Sequence, residues 1–229
     1  MPTTFVLVHG GFGTPAELAP VVPGLEARGY RVVNVDIPCV EDPSATLDDY
    51  ASAVVEAMRD VEHPRFLVAH SAGGGTIPLV AAQVPVDRLV FVTAVVPEPG
   101  RSLLEVAGSQ TQATIASVTI DHGDGTRSFD LALLAGMAPP EERAATLLFL
   151  QQTQRKQGWL AMTQPWPGAS IPDVPRSYIL CTEDRILPPE RQRAFAAALG
   201  VTPIEIASDH GVFSLKPDEL ASILASLAD

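Results

Sequence analysis

The residues able to do covalent chemistry gather around Ser71. It follows the apolar run Arg65-Phe66-Leu67-Val68-Ala69 and His70, and it precedes Ala72-Gly73-Gly74-Gly75. A serine wedged between a strand end and a helix start sits on a sharp turn that pushes its hydroxyl out above the sheet. That is the pattern of a nucleophile elbow. Such a turn needs small residues two before and two after the serine. Here they are Ala69 and Gly73, with alanine standing where glycine is usual.

An acyl-transfer serine needs a base, an acid to orient the base, and donors for the developing oxyanion. With an elbow serine, the chain order is serine, acid, histidine. Of the histidines at 9, 63, 70, 122 and 210, only His122 and His210 follow Ser71. His122 sits in the glycine-rich stretch Asp121-His122-Gly123-Asp124-Gly125-Thr126 and is read as a solvated loop residue. His210, in Ala207-Ser208-Asp209-His210-Gly211, follows the last apolar run and is taken as the base, because loops at strand carboxyl ends build such sites. Glu183 and Asp184 in Cys181-Thr182-Glu183-Asp184-Arg185 are both candidates for the acid; Asp184 is preferred and Glu183 is read as a solvated neighbour. The backbone N–H of Ala72 supplies one oxyanion donor, and Gly11 or Phe12 in His9-Gly10-Gly11-Phe12-Gly13 supplies the second. His9 is expected to brace that loop, and His70 to be a structural neighbour. Phe129, Met137, Leu150, Trp159 and Trp166 are candidates for a substrate pocket, and ordinary packing accounts for them equally well.

These groups must be held by elements. Phe5-Val6-Leu7-Val8 is a continuous apolar run, as expected of a strand buried on both faces. Further strands are predicted at Arg31–Asp36, Arg65–Ala69, Leu89–Val95, Arg176–Cys181 and Pro203–Ala207. Helices alternate with them: one from near Pro20 to Gly29, one capped by Ser44 or Thr46, one from Ala72 to Gln83, one opened by Pro188-Pro189, and one from Pro217. Gly73, Gly74, Gly75 and Pro78 predict a kink in the helix after Ser71. Alternation of this kind means a parallel sheet of about six strands covered on both faces. Between Pro97 and Pro175 the pattern changes. Val118–Ile120 and Ser128–Leu131 read as a hairpin, and Pro139-Pro140-Glu141-Glu142 opens a helix to about Gln154. The expected organisation is therefore a core of residues 1–96 and 176–229 with a cap inserted at 97–175.

Composition narrows the function classes. The chain has 229 residues, 46% of them hydrophobic, which suits one compact α/β domain. The net charge of -12 argues against nucleic acid and anionic membranes as partners. No apolar run approaches the ~20 residues of a membrane span, and the N-terminus shows no signal-peptide pattern. Cys39 and Cys181 form neither a disulfide framework nor a metal spacing, so both are read as small buried hydrophobes in a reducing, cytoplasmic setting.

Together the motifs resemble one branch of the α/β-hydrolase fold. Phe5-Val6-Leu7-Val8-His9-Gly10-Gly11 is similar to its opening strand and oxyanion loop, and Val21–Tyr30 to its first helix. Cys181–Asp184 and the stretch from Asp209-His210 to Lys216-Pro217-Asp218-Glu219-Leu220 are similar to its acid and histidine segments. The branch holds plant methyl-ester esterases, hydroxynitrile lyases and bacterial pyrethroid-hydrolase-like esterases. The resemblance implies Ser71, Asp184 and His210 as triad, Gly11 and Ala72 as oxyanion donors, no cofactor or metal, and a possible homodimer. The lyases carry a threonine after the first loop's histidine and a lysine after the catalytic one. Gly10 and Gly211 stand there instead, which favours a serine carboxylesterase acting on a small to medium, largely apolar ester or lactone. A lyase and a ligand-binding receptor on the same fold are the alternatives.

Overall fold

Short apolar runs flanked by polar or small residues fold here as parallel strands. The computed structural model describes residues 2–38, 42–136, 140–141 and 143–228. Its main sheet holds β1 (Thr4–Val8), β2 (Arg31–Val35), β3 (Arg65–His70), β4 (Arg88–Val92), β8 (Arg176–Cys181) and β9 (Ile204–Ile206) in the order β2-β1-β3-β4-β8-β9. Every neighbouring pair is parallel. The register brings Val8 opposite Val35 and Ala69, and His70 opposite Val92, so the carboxyl ends of four adjacent strands finish level.

Alternate residues of each strand feed two cores. Val6, Val8, Leu67, Ala69, Leu89, Phe91, Tyr178 and Leu180 face one cluster, completed by side chains of α3 (Leu47–Ala57), α4 (Ile77–Ala81) and α10 (Pro189–Ala198). Phe5, Leu7, Phe66, Val68, Val90, Val92, Ile179 and Cys181 face the other, completed by α1 (Pro15–Leu18), α2 (Val22–Glu26), α11 (Val212–Leu215) and α12 (Pro217–Ser226). Burial on both faces explains why these strands read as unbroken apolar runs.

Between β4 and β8 lie α5 (Leu103–Ala107), α6 (Ser109–Val118), α7 (Leu131–Gly136), α8 (Arg143–Thr153), α9 (Leu160–Thr163) and a small antiparallel sheet. That sheet pairs β5 (Thr119–Asp121) with β6 (Thr126–Phe129), and β6 with β7 (Gln157–Gly158). Its hairpin lies close to the predicted one. β7, two residues long, has no period to read, and α5 was not foreseen although Ser102 and Glu105 form a capping box at its start. Cys39, Met137 and Pro139 lie outside the described residues.

Three boundaries differ from expectation. The helix predicted from near Pro20 ends at Glu26, not Gly29, and it is preceded by α1, which Thr14 caps, and a 3-10 turn at Ala19–Val21 that carries the chain on into α2. β4 stops at Val92, because Thr93 turns into the left-handed region with φ 38°. The helix after Ser71 is not a kinked helix from Ala72 to Gln83. It is a 3-10 turn at Ser71–Gly75 followed by α4, where Pro78 falls in the first turn and its missing N–H costs nothing.

Close approach explains the glycines of that turn. A β-carbon at Gly73 would lie 2.6 Å from the carbonyl oxygen of His9, and one at Gly74 would lie 2.1 Å from that of Val95. Both neighbours are backbone, which cannot swing aside. Gly74→Ala should therefore destabilise the fold by about 3 kcal/mol, at the upper end of ordinary overpacking. Urea unfolding of the two proteins measures this, and a difference below about 0.5 kcal/mol contradicts the packing argument.

Candidate active site

Loops leaving the carboxyl ends of β1, β3, β4, β8 and β9 bring five segments together. Ser71 leaves β3 with φ 51°. Its Oγ lies 3.0 Å from Nε2 of His210, which follows β9. Nδ1 of His210 lies 2.7 Å from Oδ2 of Asp184, which follows β8. The structure thus places the serine, the histidine and the preferred carboxylate in one hydrogen-bonded line. Glu183 is exposed, and its side chain takes no part. His122 is exposed and pairs with Ser128 in the hairpin.

Asp184 is 4% exposed and fully surrounded by donors. Oδ1 accepts from the backbone N–H groups of Ile186 at 2.8 Å and Leu187 at 2.9 Å. Oδ2 accepts from Thr93 Oγ1 and, at 3.3 Å, from Nε2 of Gln192, besides His210. Burial pushes this carboxyl up, but the charge and hydrogen bond of His210, with those from Thr93 and Leu187, outweigh it and hold it below the usual carboxylate range. Burial also opposes the charging of His210, yet the adjacent Asp184 carboxylate, by its charge and its hydrogen bond, raises its pKa. A carboxylate so placed keeps the proton of the neutral imidazole on Nδ1 and leaves the Nε2 lone pair facing Ser71.

The first loop carries two candidate donors, and they differ. The N–H of Phe12 donates to Oε1 of Gln157 at 3.1 Å, and the Phe12 carbonyl accepts from Arg155 N at 2.8 Å. Phe12 N–H is therefore already taken. Gly11 lies beside Ala72: a β-carbon at Gly11 would be 3.8 Å from that of Ala72. Gln157 is 1% exposed and donates onward to the Tyr50 hydroxyl at 2.8 Å. His9 is buried behind the loop, where Nε2 accepts from Ile37 N at 3.3 Å, a bracing position away from Ser71.

Phe12 (φ 62°), Ser71 (φ 51°) and Thr93 (φ 38°) are the non-glycine residues with left-handed backbone among the described residues. All three follow adjacent strands at this one edge. Backbone held in that region clusters where a site is pre-organised.

A small, partly open space of about 10 Å³ lies beside Gly11 and Ala72. Ile37, Leu47, Tyr50, Leu103, Met162 and Gln157 help to line it. Its size is close to what one water needs. Among the described residues, Phe129, Leu150, Trp159 and Trp166 do not line it. Trp166 is buried in the core, and its indole N–H donates to the Gly75 carbonyl at 2.8 Å, serving the turn after Ser71. Phe129 packs on the Phe12 ring with centroids 4.2 Å apart, and Trp159 at 6.0 Å, beneath the Arg127 guanidinium. Leu150 is half-buried on α8, and Met137 lies outside the described residues. Among the described residues, no three His, Cys, Asp or Glu side chains are grouped to hold a metal, and no helix is long and apolar enough to cross a membrane.

A parallel six-stranded sheet that turns through a strained serine at the end of β3 is the architecture of an α/β hydrolase. The model of the alpha/beta hydrolase family matches residues 5–223, and the chain belongs to that family. It is 27% identical to a pyrethroid hydrolase of Sphingobium wenxiniae, over 99% of this chain and 88% of the relative. It is 26% identical to polyneuridine aldehyde esterase of Rauvolfia serpentina, over 98% and 95%. A crystal structure of a pyrethroid hydrolase from Sphingobium faniae superposes with a TM-score of 0.80 at 25% identity, covering 100% of this chain and 98% of the other. The protein is an esterase-like α/β hydrolase.

The His210–Asp184 pair has a testable consequence for stability. A raised folded pKa means that the contribution of His210 is complete below its unfolded value of about 6.5 and is lost as pH rises through the folded value. Unfolding free energy should therefore fall between pH 6 and pH 9 in the wild type, and fall less in Asp184→Asn. Parallel curves for the two proteins would contradict the pairing.

Proposed function

We propose that the protein is a serine carboxylesterase that hydrolyses small, largely apolar carboxylic esters through an acyl-enzyme. The observation that carries this is the line Ser71 Oγ, His210 Nε2, His210 Nδ1, Asp184 Oδ2, with contacts of 3.0 and 2.7 Å. Ser71 Oγ attacks the ester carbonyl as His210 Nε2 accepts its proton. Asp184 stabilises the imidazolium so formed. The N–H groups of Ala72 and Gly11 hold the oxyanion, the second because Phe12 N–H is committed to Gln157. One such donor is worth about 3 kcal/mol of barrier. The intermediate collapses, and His210 returns the proton to the departing alkoxide, which leaves as the alcohol. Water then attacks the acyl-serine, gives its proton to His210 and releases the acid as Ser71 is re-protonated.

Hydrolysis is favoured over cyanohydrin cleavage by the packing at Gly10. A β-carbon there would lie 2.7 Å from that of Ser71, so the threonine of the lyases would displace the nucleophile. The narrow, mostly apolar space beside Gly11 favours short acyl groups.

Hydrolysis of p-nitrophenyl acetate, butyrate and octanoate by wild type and Ser71→Ala tests this reading. Wild type should prefer acetate, and Ser71→Ala should lose about 10³-fold or more in kcat. Retained activity in Ser71→Ala would refute the mechanism, and a preference for octanoate would refute the acyl pocket. The base must be neutral to accept a proton, and Asp184 raises its pKa. The acid limb of kcat/KM is thus expected above pH 6.5, and a limb near pH 5 would point to another base.

A further inference from the structure

A second histidine lies directly behind the first, with a carboxyl behind it. His70 is 2% exposed. Its Nε2 lies 2.9 Å from the backbone carbonyl oxygen of His210. A carbonyl only accepts, so His70 carries its proton on Nε2. Its Nδ1 is then a lone pair, buried and without another donor. Oε1 of Glu17 lies 3.3 Å from that lone pair, on a side chain that is 15% exposed. An ionised carboxylate would face a lone pair across that distance; a protonated one would donate to it. The loop makes room for this carboxyl: a β-carbon at Gly13 would lie 2.2 Å from Oε2 of Glu17.

We propose that Glu17 is a positioning residue for the base. Its protonated carboxyl donates to Nδ1 of His70, which locks His70 as the Nε2–H tautomer, and that N–H holds the carbonyl of His210 and hence the imidazole opposite Ser71. The inference rests on His210 being the base. Burial keeps His70 neutral, with its pKa down at about 3, and pushes the Glu17 carboxyl up against the pull of His9 and His210. The groups facing Glu17 can be named for each neighbouring element. His9 comes from the loop after β1, His70 from the end of β3, and His210 from the loop after β9. α11 has no titratable residue, α8 carries Arg143 as its one charged residue, and on β2 Arg31 pairs with Glu62. Ser214 Oγ donates to the Glu17 backbone carbonyl, and the Glu17 N–H donates to the Thr14 carbonyl at 3.0 Å.

The test uses the full chain with p-nitrophenyl acetate and three variants. Glu17→Gln keeps a donor for Nδ1, and it should hold kcat within about threefold of wild type with the acid limb of kcat/KM unmoved. Glu17→Ala removes the donor and should lower kcat about tenfold at unchanged KM. Gly13→Ala pushes the carboxyl aside and should act in the same direction, which keeps the idea testable if Glu17→Ala fails to fold. Nitrogen NMR of the His70 ring in Ser71→Ala reads the tautomer without turnover, and Nδ1 should be an unprotonated, hydrogen-bonded acceptor between pH 6 and pH 8. Three results would each overturn the proposal: full activity in Glu17→Ala, a protonated Nδ1 on His70, or a Glu17→Gln variant as slow as Glu17→Ala with its acid limb moved to lower pH. The last would mean that Glu17 acts as an anion. Serine-independent hydrolysis would instead refute the esterase reading and leave the tautomer result standing.

Discussion

Left-handed backbone at the ends of three neighbouring strands is the constraint on which the site depends. Phe12, Ser71 and Thr93 each adopt a conformation that costs a residue with a β-carbon of order 1–3 kcal/mol. None could hold it alone. Ser71 is pinned by the turn beneath it, where Gly73 and Gly74 let the backbones after β1 and β4 approach closely, and where Val95 N donates to the Ser71 carbonyl at 3.0 Å. Phe12 is pinned from the segment between β4 and β8, through Arg155 and Gln157. Thr93 is pinned by Ile179 through its N–H and by Asp184 through its hydroxyl. The cost is thus borne by contacts spread over the whole upper edge of the sheet.

The same edge manages a buried charge. A carboxylate at 4% exposure is stable only where its oxygens are satisfied. Two backbone N–H groups, a hydroxyl, an amide and an imidazole do this for Asp184, and they also set the direction in which it points. Gln192 links this to the fold, because its amide also donates to Leu187 O and accepts from Cys181 N. Orientation of His210 is therefore shared: Asp184 fixes the ring from Nδ1, and His70 holds the backbone carbonyl of the same residue.

Legibility in the sequence followed how each residue is used. Strands buried on both faces show as unbroken apolar runs, and the five-residue β1 was readable for that reason. Ser71, Asp184 and His210 could be singled out because the elbow pattern and the order of groups along the chain are local or linear signals. Gln157, Tyr50, Thr93 and Gln192 could not. Each is one polar residue in a strand, helix or loop where polar residues are common, and only its long-range partner gives it a role. For the aromatic residues bulk fits a pocket and ordinary packing alike, and only long-range contacts show that Trp166 supports the turn after Ser71 and that Phe129 packs on Phe12. The glycines after Ser71 announced crowding, but not that a 3-10 turn would absorb it and leave Pro78 harmless.

The most direct measurement is covalent capture of the nucleophile. Incubation with an alkyl fluorophosphonate, followed by intact-mass and peptide mass spectrometry, reports which side chain is activated. One adduct per chain is expected, on the peptide holding Ser71. Asp184→Asn should slow capture by at least about 10²-fold, as loss of the group that orients the base requires. Capture at another residue, or labelling of Ser71 at an equal rate in Asp184→Asn, would contradict the triad.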